Sequence, residues 1–181
     1  AVFTGKQVVY IYHNQIDARG DKPNTEDEVF AACREAVEEI AAMIRRIAGS
    51  ANTLHFIVTA DHGFLYKRHA LAESDKIPNT APKTAFVNRR FIVDADPIAQ
   101  PGVASLPMAT VLNTKTNTLT VSSPTAANVF KVAGGGENYV HGGSSPQEMI
   151  VPVLDVRMEK GRMETTTVQL TLVSILKKIT N

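Results

Sequence analysis

The sequence predicts an α/β fold whose sheet is mainly parallel and flanked by helices. Residues 54–60 form a continuous apolar run that ends in Asp61, His62 and a glycine, which is the pattern of a buried parallel strand. Residues 8–12 form a second apolar run, rich in β-branched and aromatic side chains. The amphipathic helix between the two runs predicts a crossover connection, which would place the polar ends of both strands on one edge of the sheet. Open α/β sheets bind their ligands at that edge.

The helix between the two runs has a predicted start and a predicted stop. Thr25 and Glu28 have the spacing of a capping box. The apolar side chains that follow, from Val29 to Ile47, recur at the spacing of one helix face, and Gly49 is the predicted end. This pattern is typical of a helix that packs on a sheet.

Residues 97–124 are predicted to form an insertion rather than a continuation of the sheet, because Pro97, Pro101 and Pro107 interrupt them. Two strand-like runs, at residues 108–112 and 118–121, flank a polar turn. This pattern predicts a β-hairpin.

The ends of the chain predict that it is part of a longer protein. Residue 1 is not methionine, and the alternating apolar pattern at residues 166–172 is typical of a strand that begins another unit. We expect residues 1–160 to be the C-terminal part of one domain. Residues 161–181 would then begin a following segment.

Composition narrows the class of protein. The 181 residues include 44% hydrophobic residues, enough for one sizeable core. The formal net charge of +1 excludes a protein-wide basic field, so any site for a polyanion has to be local. No stretch approaches the roughly 20 apolar residues of a membrane span, so no membrane contact is expected. The single cysteine fits a reducing compartment, and we expect a cytoplasmic protein.

Acidic and histidine side chains follow the predicted strands. Asp61 and His62 offer a carboxylate and an imidazole, which are good ligands for zinc-like metals, although a capping aspartate and a surface histidine explain the pair equally well. Asp17 and Asp21 lie around a glycine and could bind one cation, but from these residues alone an ordinary acidic loop is favoured. His141 lies between a glycine-rich loop and a predicted helix start, so it is either a metal ligand or a loop histidine.

Cationic residues lie near these positions. Lys67 follows the Asp61 and His62 pair, and Arg89 and Arg90 precede a predicted strand. They could attract an anion, although such cations are more often solvated surface. The three consecutive glycines at residues 134–136 are not followed by Lys-Ser or Lys-Thr, which excludes a phosphate-binding P-loop.

Three short motifs occur in order along the chain: residues 17–21 (Asp-Ala-Arg-Gly-Asp), residues 59–63 (Thr-Ala-Asp-His-Gly) and residues 141–143 (His-Gly-Gly). Together they resemble the metal-binding motifs of the alkaline phosphatase superfamily. Within that superfamily, residues 12–17 and residues 141–152 are similar to the PglZ domain of bacteriophage exclusion (BREX) systems. The resemblance covers most of the chain and implies an alkaline-phosphatase-like fold.

The resemblance also implies two divalent metal ions, with zinc as the expected element. It places one ion on Asp17, Asp21 and His141, and the second on Asp61 and His62. Most members of the superfamily have a histidine where this chain has Asp21, so that ligand departs from the family pattern. The family's nucleophile and a further aspartate ligand belong to an upstream strand, and no segment before the first apolar run supplies them. A truncated domain is therefore expected.

The expected function is that of a metal-dependent phosphoesterase, either a phosphatase or a phosphodiesterase or nuclease, in a bacterial anti-phage defence protein. The expected partners are a phosphate ester or nucleic acid substrate, which Lys67, Arg89 and Arg90 would contact, and other defence proteins. Because the nucleophile is expected upstream, the chain alone should be inactive. The alternative is a catalytically inactive scaffold of the same fold that binds other proteins of the defence complex. A DNA-binding module fits poorly with the near-neutral charge.

Overall fold

The structure is a computed structural model that describes residues 2–134 and 138–159, so the segment expected at residues 161–181 lies outside it. The described residues have the mixed α/β character that the sequence predicts. The helices are α1 (Gln15–Gly20), α2 (Val29–Ala51), α3 (Met108–Val111) and α4 (Pro146–Met149), with 3₁₀ turns at Glu26–Glu28 and Glu73–Asp75. The strands are β1 (His55–Thr59), β2 (Leu65–Tyr66), β3 (Lys76–Ile77), β4 (Phe86–Val87), β5 (Ile92–Asp94), β6 (Val103–Pro107), β7 (Thr120–Pro124), β8 (Val129–Phe130), β9 (Tyr139–Val140) and β10 (Val153–Arg157). The division into domains stays a prediction.

Helix α2 confirms the predicted amphipathic helix. It continues past Gly49 to Ala51, and Asn52 ends it with a left-handed φ of 52°. The predicted capping box is wrong, because the residues before α2 form a 3₁₀ turn and the Thr25 hydroxyl donates instead to the carbonyl oxygen of Arg19 at 2.8 Å. The buried residues of α2 keep the spacing of one helix face: Val29, Ala32, Ala36, Ile44 and Ile47.

Strand β1 confirms the strand predicted from the apolar run before Asp61, but its pairing and its burial differ from the prediction, because its residues alternate between exposed and half-buried. It pairs antiparallel with β10, from His55 opposite Arg157 to Thr59 opposite Val153. Residues 8–12 form no strand in the structure. Within the described residues, the parallel pairing is limited to β3 and β8, so the mainly parallel sheet is not found there. An apolar run favours an extended strand but does not specify its partner, and here β10 bonds to β1 along its whole length.

The largest sheet has four strands in the order β4-β5-β7-β6, and all of its pairs are antiparallel. Strands β6 and β7 form a hairpin, but the first strand predicted for it, at residues 108–112, is wrong. Residues 108–111 are the short helix α3 instead, because the Leu112 amide donates to the carbonyl oxygen of Met108 at 2.8 Å. That the hairpin is an insertion stays a prediction.

The described residues contain two clusters of buried hydrophobic side chains. Ile92, Ile98 and Phe130 form one cluster, and Leu71, Val129 and Val140 form the other. Their members Val129 and Phe130 are neighbours in β8, so this strand joins the two clusters. The second cluster includes the last residue of β9, directly before His141. Within the described residues, no helix has both the length and the apolar character needed to cross a membrane.

Candidate metal centre

Three of the predicted ligands come together at one point of the structure. Asp17, His62 and His141 each offer one ligand atom, and these atoms all lie within 4.8 Å of one another. The two imidazole rings stack in parallel, with centroids 4.1 Å apart and an interplanar angle of 3°. Nε2 of His62 lies 3.7 Å from Oδ2 of Asp17. One carboxylate oxygen and two imidazole nitrogens form a donor set that suits zinc.

Each of these side chains is delivered by a different element. Asp17 lies in the first turn of α1, His62 follows the end of β1, and His141 follows β9. Nδ1 of His62 lies 3.0 Å from the carbonyl oxygen of Gly63, which can only accept a hydrogen bond. A hydrogen bond at this contact requires a proton on Nδ1, and in the neutral ring this leaves Nε2 as the atom able to bind a metal.

The segment that follows β1 lies close to helix α4. The amide of Gly63 donates to the carbonyl oxygen of Glu148 at 2.8 Å. A Cβ atom at position 63 would overlap the backbone carbonyl of Gln147, so only glycine permits this approach. The Gly63 contact thus fixes the distance between the His62 segment and the chain that follows His141.

The other two predicted ligands flank the cluster without joining it. Oδ2 of Asp61 lies 3.9 Å from Nε2 of His62, and the Asp61 side chain is 85% exposed. Oδ1 of Asp21 lies 3.3 Å from Nε2 of His141, and the Asp21 side chain is 56% exposed. Each flanking carboxylate thus lies beside a different histidine, with Asp17 near both.

Tyr139 is a residue of the site that the sequence reasoning missed. Its side chain is buried, and its hydroxyl donates a hydrogen bond to Oδ1 of Asp17. Burial raises the pKa of Tyr139, and the Asp17 carboxylate raises this pKa further, so the hydroxyl stays protonated and remains a donor. A signal was present in the sequence, because residues two apart in a strand share a face and Tyr139 is two residues before His141.

The three cations predicted to contact phosphate have different surroundings. Lys67 forms an ion pair with Asp75, with 3.1 Å between Nζ and Oδ1. Arg89 lines a cavity of about 230 Å³ together with Asp21 and His141, and it also donates to the carbonyl oxygen of Gly134. Of the three cations, Arg89 is the one that lines the cavity containing the His141 side of the cluster.

Arg90 is not placed to contact a phosphate group, contrary to the expectation from the sequence. It is fully buried, and its Nε and Nη2 donate to the two carboxylate oxygens of Glu148 at 2.8 and 2.7 Å. Its Nη1 donates to the carbonyl oxygens of Ala126 and Asn128. The pairing of two buried charges with each other and with backbone groups removes this guanidinium from solvent.

The carboxylate of Glu148 also organises the chain that follows His141. It accepts hydrogen bonds from the Gly143 amide at 2.9 Å and from the Ser145 hydroxyl at 2.7 Å. It also accepts one from the Ser145 backbone amide at 3.3 Å, which belongs to the predicted capping box of α4. Burial alone would raise the pKa of Glu148, but its hydrogen bonds with Arg90 and Ser145 and the charge of Arg90 lower this pKa overall. The carboxylate therefore stays ionised and binds the loop to the core.

The mixed α/β fold is consistent with an alkaline-phosphatase-like domain. The family model described as the BREX system PglZ alkaline phosphatase-like domain matches residues 1–156, so the chain belongs to this family. The predicted resemblance is thereby confirmed.

Two curated relatives are similar to the chain. The alkaline phosphatase-like protein PglZ of Bacillus cereus (strain H3081.97) is 38% identical over 183 residues, which cover 99% of this chain and 21% of that protein. The alkaline phosphatase-like protein BrxZ of Escherichia coli O9:H4 (strain HS) is 36% identical over 153 residues, which cover 83% of this chain and 18% of that protein. The chain thus spans about a fifth of the length of these relatives. No solved structure matches the chain significantly.

Proposed function

We propose that the chain supplies metal ligands to a metal-dependent phosphoesterase that acts with other BREX proteins in the cytoplasm. The observation that carries this proposal is the convergence of Asp17, His62 and His141, which come from three separate elements of the chain. A surface histidine and an ordinary acidic loop, the alternatives for these residues, give no reason for their ligand atoms to meet. The family membership of the chain supports the same reading.

The donor set supports divalent cations, with zinc as the proposed element. We assign one ion to Asp17, Asp21 and His141 and a second to Asp61 and His62. The proximity of Asp21 to His141 and of Asp61 to His62 supports these two pairs, and Asp17, 3.7 Å from His62, lies between the two ions. When bound, such cations supply positive charge that stabilises phosphoryl transfer.

The residues of the chain have distinct tasks in this proposal. The Gly63 carbonyl keeps His62 in the tautomer whose Nε2 is a ligand. Arg89 lies in the cavity beside His141, where its guanidinium would bind a phosphate oxygen of the substrate. We assign the nucleophile to a part of the parent protein outside this chain. The chain spans only about a fifth of the length of its relatives, which agrees with this assignment.

Removal of the metal tests the proposal. We expect a chelator to abolish hydrolysis of bis-p-nitrophenyl phosphate by the full-length protein that contains this chain, because the negative charge on the transferred phosphoryl group would no longer be stabilised. We expect added zinc to restore the hydrolysis. The chain alone should turn over this diester more slowly by several orders of magnitude. Turnover that persists after complete metal removal would contradict the proposal. Bound zinc without hydrolysis of either a monoester or a diester would favour the inactive scaffold instead.

Substitution of Arg89 tests the phosphate contact. Arg89→Met is expected to weaken the binding of inorganic phosphate roughly 10–150-fold, since a charge-assisted hydrogen bond is worth on the order of 1.5–3 kcal/mol. Isothermal titration of the zinc-loaded protein with phosphate measures this effect. Lys83→Met, which removes an exposed cation shortly before β4, is the matched control and should leave the affinity unchanged. Equal phosphate affinities for Arg89→Met and the unsubstituted protein would show that the cavity is not the phosphate site.

A further inference from the structure

Tyr139 lies between the proposed metal ligands and the interior of the protein. Its side chain is only 3% exposed. Its ring packs against Phe64, with centroids 4.8 Å apart, and against His141, with centroids 5.8 Å apart. Its hydroxyl reaches across to α1 and donates to Oδ1 of Asp17. Tyr139 therefore contacts one ligand through its ring and another through its hydroxyl.

The position of Tyr139 is fixed from two further sides. The carboxylate of Glu26 accepts hydrogen bonds from the backbone amides of Asn138 and Tyr139 at 3.0 and 3.3 Å. These bonds connect the start of β9 to the 3₁₀ turn before α2. The ring also lies against Gly20 at the end of α1, where a Cβ atom would come within 2.6 Å of it. The hydroxyl is thus held at one place relative to α1, the helix that carries Asp17.

The two oxygens of Asp17 have different neighbours as a result. Oδ1 accepts the hydrogen bond from Tyr139, and Oδ2 lies 3.7 Å from Nε2 of His62. A carboxylate that rotated freely would present either oxygen, or neither, to the histidines. The hydrogen bond selects one orientation before any cation binds, and such preorganisation lowers the cost of ordering the ligand on binding.

We propose that Tyr139 is a positioning residue for the metal centre, which holds the Asp17 carboxylate so that Oδ2 faces His62. This role rests on the proposed metal site and adds a residue that the family resemblance did not supply. Tyr139 acts through Asp17 and does not itself bind the cation. Loss of a supporting hydrogen bond of this kind lowers metal affinity by roughly 10–100-fold.

The test is Tyr139→Phe, which keeps the buried ring and removes only the hydroxyl. We expect its dissociation constant for zinc, measured by competition with a chromogenic chelator, to rise roughly 10–100-fold. We also expect the visible absorption bands of the Co²⁺-loaded protein to shift, because the Asp17 carboxylate would coordinate differently. In an Asp17→Asn background the same substitution should have little further effect, since the two residues act as one unit.

Two more variants make the result specific. Tyr66→Phe removes a hydroxyl from the residue directly opposite Tyr139 in the paired strand β2, and it should leave both the zinc affinity and the Co²⁺ bands unchanged. Gly20→Ala keeps the Tyr139 hydroxyl but forces its ring to move, and it should weaken zinc binding as Tyr139→Phe does. Unchanged zinc affinity and Co²⁺ bands in a folded Tyr139→Phe protein would overturn the positioning role while leaving the metal site in place. Failure of the unsubstituted protein to bind zinc would overturn the metal site and the positioning role with it.

Discussion

His141→Ala is expected to lower the zinc affinity of the protein at least about 100-fold, because loss of a ligand should exceed the 10–100-fold effect of losing a supporting residue. In the full-length protein it should remove most phosphodiester turnover as well. The fold should persist, since the His141 side chain is 28% exposed and lies outside both buried clusters. Competition with a chromogenic chelator measures the affinity, and circular dichroism checks the fold.

The control for this substitution is His69→Ala, which removes an exposed histidine on the chain after β2. It should leave zinc binding and turnover unchanged. Asp61→Ala should reduce turnover like His141→Ala, because the proposal assigns Asp61 to the second ion, and it should leave the fold intact because this side chain is highly exposed. Near-normal zinc binding and turnover by a well-folded His141→Ala protein would show that the metal assignment is wrong.

The sequence predicted that Asp17, His62 and His141 lie close together. It predicted neither the exposed position of Asp61 outside this cluster nor the sheet. Asp17 was expected at the end of a strand over residues 8–12, yet those residues are not a strand and Asp17 lies in α1. The prediction did not depend on the strand, because the family motifs assign these residues to a common site whatever helix, strand or loop carries each of them. Strand pairing is decided by backbone partners that are distant in sequence, and the apolar pattern of β1 contains no information about its pairing with β10.

Two buried polar residues show a second limit of reading sequence locally. Arg90 looked like a surface cation because arginine is rarely buried, and its carboxylate partner lies 58 positions further along the chain. The predicted capping box correctly identified Glu148 as the N3 residue of α4. It did not indicate that the same carboxylate also pairs with Arg90. A charged residue whose partner is remote can be assigned to the interior only once the fold brings the two together.

Arg90→Met is expected to lower the free energy of unfolding by about 3–5 kcal/mol, because it leaves the Glu148 carboxylate buried without its countercharge. Both side chains of this pair are almost inaccessible, at 0% and 1% relative exposure. The effect should depend on pH. The folded-state pKa of Glu148 lies below its ordinary value, so in the unsubstituted protein this contribution to stability is present above the unfolded-state pKa and is lost as the pH falls through the lowered folded-state pKa. Urea denaturation at neutral and acidic pH measures both effects.

The double substitution Arg90→Met with Glu148→Leu separates the burial of a lone charge from the loss of the pair itself. It should recover a large part of the stability lost in Arg90→Met, since apolar replacement of a whole buried ion pair is often close to neutral. It should lower zinc affinity, because it removes the hydrogen bonds from Gly143 and Ser145 to Glu148 that hold the chain after His141. Arg157→Met removes an exposed guanidinium that is paired with Asp155 at 3.3 Å, and it should change stability by no more than about 0.5 kcal/mol. If Arg90→Met proved as mild as Arg157→Met, the buried pair could not be what holds the His141 loop to the core.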